Sequence, residues 1–197
     1  MMLEKYKSKK EAGIILEILE GELNENNPRD WDNLGHMIFF HSRYDLGDEH
    51  NLNHDSFTGW DELREYIHKE LSGIIILPVR LYDHSGISIS CTTNYPYNDK
   101  WDSGQIGFIY ANKKEVKKEY GNISIKTIKK VKEILLSEIT EYDKYLRGEV
   151  YGFRMYKESI CKCCKQTITE DIDSCFGYIG IDSLKDEFNL NDYELIA

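Results

Sequence analysis

The chain has 197 residues, 41% of them apolar, with 14 tyrosines and a formal charge of −10. That length and composition suit a folded domain with its own core and exclude a disordered chain. The acidic balance disfavours simple phosphate binding and favours either plain solubility or a basic partner, and no apolar run approaches the roughly 20 residues of a membrane-spanning helix.

Taken in chain order, residues 3–23 are expected to form a helix. Ile14, Ile15, Ile18 and Leu19 fall on one helical face and Gly21 lies near the end. This helix, within residues 1–24, is expected as a peripheral appendage to a single domain spanning 1–197. The N-terminal stretch lacks the uninterrupted apolar core of a signal peptide, so an intracellular protein with reduced thiols is expected. Residues 24–33 (NENNPRDWDN) are a loop of turn formers around Pro28. HMIFFH (36–41) is a strand or a short buried helix. Residues 60–71 return to a 3.6-residue pattern through Trp60, Leu63, Ile67 and Leu71, with Thr58 as a cap.

From Gly73 the pattern turns to β. GIIILPVRLYDH and ISISCTT read as a hairpin turning near His84 to Gly86, with Pro78 marking an edge or a bulge. An aromatic connection over 94–104 leads to a strand over 105–111. A short helix capped by Asn112 ends at Gly121. The longest helix follows, capped by Ser124 or Thr127 and running to Arg147, with Ile125, Ile128, Val131, Leu135, Ile139, Tyr142 and Leu146 on its apolar face. Two strands, 149–160 and 173–181, close the chain around a cysteine-bearing connection. The order predicts an α+β fold with one mainly antiparallel sheet of five or six strands and helices packed on one face.

Charge is unevenly spread. Residues 17–62 carry twelve acids against two arginines, and residues 113–132 carry eight lysines against two glutamates. On the long helix Lys126, Lys129 and Lys130 precede Glu138, Glu141 and Asp143, the reverse of what the helix dipole prefers. An acidic partner within the chain, or an external phosphate backbone, would favour that order. A solvated face is the plainer alternative.

Three constellations carry chemical potential. Cys161 and Cys164 form a C-x-x-C, with Cys163 between them and Cys175 downstream. Such a loop between strands turns thiolates toward one ion, so Cys161, Cys163, Cys164 and Cys175 are candidate ligands of a structural zinc. Cys91 or a histidine would supply any further donor, and a turn of free thiols is the alternative. The second is the segment from His41 to Asp55, HSRYDLGDEHNLNHD. Its residue types suit a metal, and a metal-dependent enzyme built on His41, His50 and His54 stays an alternative. The spacing matches neither H-E-x-x-H nor a calcium loop. The third, YDHSG (82–86), places Asp, His and Ser side by side, whereas a triad converges from separate elements.

PRDWDNLGHM, HSRYDLGDEH, LYDHSGISIS, WDSGQIGFIYANKKEVKKEYG and VYGFRMY followed by DSCFGYIG resemble, in this order, a group of small uncharacterised proteins of bacteriophages and mobile elements of Firmicutes. The likeness covers about residues 28–180 and transfers no catalytic residue. The CKCC stretch departs from the group. The context includes anti-CRISPR and anti-restriction proteins, which implies a cytoplasmic protein of the bacterial host.

The expectation is therefore a non-enzymatic anti-defence protein that inhibits a host nuclease, a CRISPR effector or a restriction enzyme, or its nucleic-acid complex, through an acidic surface. Asp30, Asp32, Asp45, Asp48, Glu49 and Asp55 would face basic grooves, with Trp31, Tyr44 and Trp60 as anchors. Direct nucleic-acid binding through Lys126, Lys129 and Lys130 is the competing expectation.

Overall fold

The computed structural model describes residues 1–23, 27–91 and 102–197. Most of the expected aromatic connection at 94–104 lies outside them. The fold is α+β with antiparallel strand pairing, as the sequence implies, and its strands form two sheets. The chain divides into two compact units where one domain was expected: residues 1–27 with 148–197, and residues 28–147.

The first unit corrects the N-terminal helix. Met2–Ser8 is strand β1 and Ile14–Glu20 is strand β2, paired antiparallel. The five-stranded sheet has the order β8-β7-β2-β1-β9, with β7 (Val150–Ile160), β8 (Thr167–Ile179) and β9 (Tyr193–Leu195). Because β2 lies inside this sheet, Ile14, Ile15, Leu16 and Ile18 are all buried. A strand covered on both faces shows an apolar run without alternation, and such a run also fits helical spacing. Gly13 decides the turn. Its φ is +81°, and a Cβ there would stand 2.5 Å from the Glu158 carbonyl oxygen, so only glycine fits. Tyr6, Leu16, Ile18, Phe153 and Leu184 form this unit's core, the last from the short helix α4 (Ile181–Lys185).

The second unit is built on the sheet β3-β6-β4-β5. Its strands are β3 (Gly35–Phe39), β4 (Gly73–Asp83), β5 (Ile87–Ser90) and β6 (Ser103–Asn112). Helix α1 spans Trp60–Lys69, α2 Lys113–Tyr120 and α3 Ile125–Leu146. Both faces of β6 are covered. Ile109 belongs to the cluster with Val131, Leu135 and Ile139 of α3, while Phe108 and Tyr110 belong to that with Leu63 and Ile67 of α1. The helices thus take opposite faces of this sheet, because alternate residues of a strand point to opposite sides.

Several local expectations hold. Asn112 and Ser124 accept backbone N–H bonds as caps of α2 and α3. The expected Thr58 cap of α1 is corrected: Gly59 takes the cap position, and Thr58 instead donates from its backbone N–H and its hydroxyl to Glu62. Pro78 pairs with β6 on one side at a point that β5, whose pairing begins at Arg80, does not reach. A register shift follows between Val79 and Arg80. Among the described residues, the proline without an N–H therefore has no ladder partner on its β5 side. Among the described residues, no helix is long and apolar enough to cross a membrane.

Candidate functional site

Two places carry chemistry, one in each unit. In the second unit the turn Pro28–Asp30 begins a loop held from beneath by Arg29. Its side chain is 5% exposed and donates to Asp48 (2.7 and 3.1 Å), to Glu138 (3.2 Å) and to the Gly35 carbonyl (2.7 Å). The Glu138 carboxylate also accepts the N–H groups of Leu34 and Gly35, at 3.0 and 3.1 Å. Burial pushes its proton affinity up, and those N–H groups together with Arg29 oppose the rise. Burial works against the Arg29 charge, but Asp48 and Glu138 outweigh it and hold the guanidinium above its ordinary value. Above this anchor the Asn33 amide bonds the carbonyls of Pro28 and Trp31, at 2.8 and 3.0 Å. The result is a fixed turn with Asp30, Trp31 and Asp32 on its outer side. All three are exposed, and Trp31 is 46% exposed.

The other expected contact residues divide. Asp45, Glu49 and Asp55 are exposed. Asp48 is not free for a partner: besides holding Arg29 it accepts the Met37 N–H at 2.8 Å. Tyr44 and Trp60 are corrected as anchors. Tyr44 stacks on His41 at 4.9 Å and packs against the α3-side core. Trp60 stands edge-on to Phe108 and packs on the α1-side core. Both rings are half-buried in packing, Tyr44 from the loop and Trp60 from the first turn of α1.

The histidines do not converge on one point. His41 Nδ1 accepts the N–H groups of Arg43 and Tyr44. His50 Nε2 lies 3.0 Å from the Phe39 carbonyl oxygen, and its Nδ1 is buried without a hydrogen-bond partner among the described residues. His54 meets Phe40 and Trp60 edge-on. His41 and His54, together with Phe40, Tyr44 and Leu52, border a cleft of about 560 Å³, a size suited to a small ligand. At YDHSG, His84 pairs with Asp102 at 3.0 Å and Asp83 with Arg43, so no triad forms there.

Lys126, Lys129 and Lys130 are exposed on α3, opposite its buried Val131, Leu135 and Ile139. Lys130 also lies 4.9 Å above the Tyr120 ring. This is a solvated outer face. The acids later in α3 have an internal use: Glu138 holds the loop, and Asp143 accepts from Ser88 Oγ and the Ile89 N–H at 2.8 and 2.7 Å.

In the first unit, the turn between β7 and β8 holds the cysteines. It is closed by Cys161 N–H to the Gln166 carbonyl (2.9 Å) and Lys165 N–H to the Cys161 carbonyl (3.0 Å). The sulfur ligand atoms of Cys161, Cys163 and Cys164 lie within 4.8 Å of one another. The Sγ atoms of Cys161 and Cys163 are 3.0 Å apart. The Cys163 thiol and the backbone N–H groups of Cys164 and Cys163 hydrogen-bond the Cys161 sulfur and lower its thiol to about 6. A tetrahedral ion with 2.3 Å metal–sulfur bonds separates its sulfurs by about 3.8 Å. The three thiols fit such an ion after a shift of less than about 1 Å. The cluster could thus hold a metal ion, and among the described residues it is the group of three or more His, Cys, Asp or Glu that qualifies.

Cys175 is corrected as a ligand. It lies opposite Phe153, and at about 3.3 Å per residue along β8 it stands roughly 25 Å from the turn. Cys91 belongs to the second unit, where it packs on the core and burial pushes its thiol up to about 12. The residues that sequence reasoning missed are Arg29, a lone arginine in a polar loop, and its distant partner Glu138. Only their meeting marks them. No family model, curated protein or solved structure matches the chain.

Proposed function

We propose that this is a non-catalytic binding protein that recognises a basic protein surface through the Asp30–Trp31–Asp32 turn, and that the partner is a nuclease of a bacterial defence system. The observation that carries the reading is the exposed Trp31, set between two exposed carboxylates on a turn held by the buried Arg29. A rigid aromatic anchor loses little entropy on docking, and flanking acids speed encounter with a basic groove. The resemblance to phage and mobile-element proteins supports the defence context. The test is cleavage by purified CRISPR effectors and restriction enzymes with the protein added at graded salt. Inhibition that weakens as salt rises, and that Trp31→Ala removes, supports the reading. Undiminished cleavage by every enzyme at saturating protein overturns it.

The cysteine turn supports a second reading, independent of the first: a structural zinc held by Cys161, Cys163 and Cys164. Three thiols at ligand spacing on one turn, with backbone N–H groups already directed at Cys161 sulfur, favour it. Elemental analysis of protein purified without chelator tests it, and protein free of zinc after exposure to the ion overturns it.

A further inference from the structure

Three thiolates leave a tetrahedral zinc one donor short. Among the described residues, the qualifying group ends with Cys164, and Cys175 is a strand's length away. The missing donor therefore comes from outside the turn, and the turn is well placed to receive one. β2 reaches only Lys157 of β7 in register, whereas β7 and β8 go on pairing through Ser159–Ile168 and Ile160–Thr167. The cysteines thus cap a hairpin end that extends beyond its neighbouring strand. Beside them is one large apolar side chain on the face that Thr167 shares, Ile160 at 68% exposure; Ile168, at 49%, lies on the opposite face with Ser159. An exposed large aliphatic residue next to an incomplete metal site is what a contact surface would carry.

We propose that two copies of this chain join at these hairpin ends and share two zinc ions among six thiolates, with Ile160 covered by its counterpart. The inference rests on the zinc reading. Its chemistry is complete. Two tetrahedral ions have eight coordination positions. Four terminal thiolates fill one each, and two bridging thiolates fill two each. A second copy supplies the second three thiolates by symmetry, with the same surface on both sides. Six thiolates and two divalent ions leave a net charge of −2, and Lys162 and Lys165 of each copy, flanking the cysteines, offset it.

The test starts from chelator-treated full-length protein, titrated with zinc chloride and followed by light scattering and elemental analysis. The expected result is one zinc per chain, a mass twice that of the chain, and return to the single-chain mass on adding chelator. Cobalt(II) in place of zinc should give the intense visible bands of tetrahedral thiolate coordination. Cys163→Ser should lose both the metal and the dimer, with the circular dichroism spectrum unchanged. Ile160→Asp, which leaves every thiol in place, should raise the dimer dissociation constant at least tenfold. A zinc-loaded single chain, a dimer indifferent to chelator, or a dimer with other than one zinc per chain overturns this inference and leaves the zinc reading standing. No bound zinc overturns both.

Discussion

Arg29 and Glu138 stand 109 positions apart in the sequence and meet at 3.2 Å, with the arginine side chain 5% and the glutamate side chain 10% exposed. The pair ties the loop carrying Trp31 to helix α3, and Asp48 completes it. Removing the arginine alone strands two carboxylates with little access to water. Arg29→Met should therefore destabilise the protein by about 3–5 kcal/mol, measured by urea unfolding. A loss below about 1 kcal/mol would show that the network behaves as a surface pair.

The same pair has a pH signature. Burial raises Glu138 above its ordinary 4.5. For a carboxyl raised on folding, the folded state holds the proton more tightly than the unfolded chain. Its contribution to stability is full below the unfolded value and is lost as pH rises through the folded one. The stability of the native protein relative to Glu138→Gln should thus increase as pH is lowered toward 4.5 from above. Parallel thermal melts of the two proteins across that window measure it, and a difference that shrinks on acidification would contradict the assignment.

Trp31 should separate function from fold. Trp31 is 46% exposed, so Trp31→Ala should cost little, no more than about 1 kcal/mol of unfolding stability. Affinity for the partner should fall by roughly tenfold or more, as for a central aromatic anchor. Asp30→Asn with Asp32→Asn should act differently, slowing association and flattening its salt dependence. Surface plasmon resonance at two salt concentrations distinguishes the two effects.

Thiol reactivity should follow surroundings. In metal-free protein, the alkylation rate of Cys161 should rise with a midpoint near pH 6, because hydrogen bonds from Cys163 and the turn backbone favour its thiolate. Cys91, pushed up to about 12 by burial, should stay unmodified at neutral pH. Peptide mass mapping after timed iodoacetamide treatment reads both.

The N-terminal hairpin depends on its turn. Gly13→Ala places a methyl 2.5 Å from the Glu158 carbonyl oxygen at a φ of +81°. It should cost more than about 1 kcal/mol, whereas Ala12→Gly beside it should cost less. Chemical denaturation compares the two.

Much of the second unit is legible in the sequence alone. The caps Asn112 and Ser124, the apolar face of α3 from Val131 onward, the hairpin turning at His84 to Gly86 and the irregularity beside Pro78 follow from local rules about dihedral angles and missing hydrogen-bond groups, while Ile125 and Ile128, expected on that apolar face, are exposed. The cysteine turn was visible too, since its three thiols lie within four residues of one another. What local pattern misread was β2: Ile14, Ile15, Ile18 and Leu19 fit helical spacing, whereas the strand buries Ile14, Ile15, Leu16 and Ile18 on both of its faces. Long-range meetings were equally invisible. The reversed charge order of α3 looked unfavourable in isolation, yet Glu138 and Asp143 serve loops and strands far away in sequence. Asp48 and Trp60 looked like contact residues and proved to be internal, while Cys175 matched the zinc set in type and was placed out of reach by strand length. Sequence determined residue type, local geometry and overall charge. Tertiary structure decided which of those groups meet and which remain exposed, because burial and pairing depend on segments that only folding brings together.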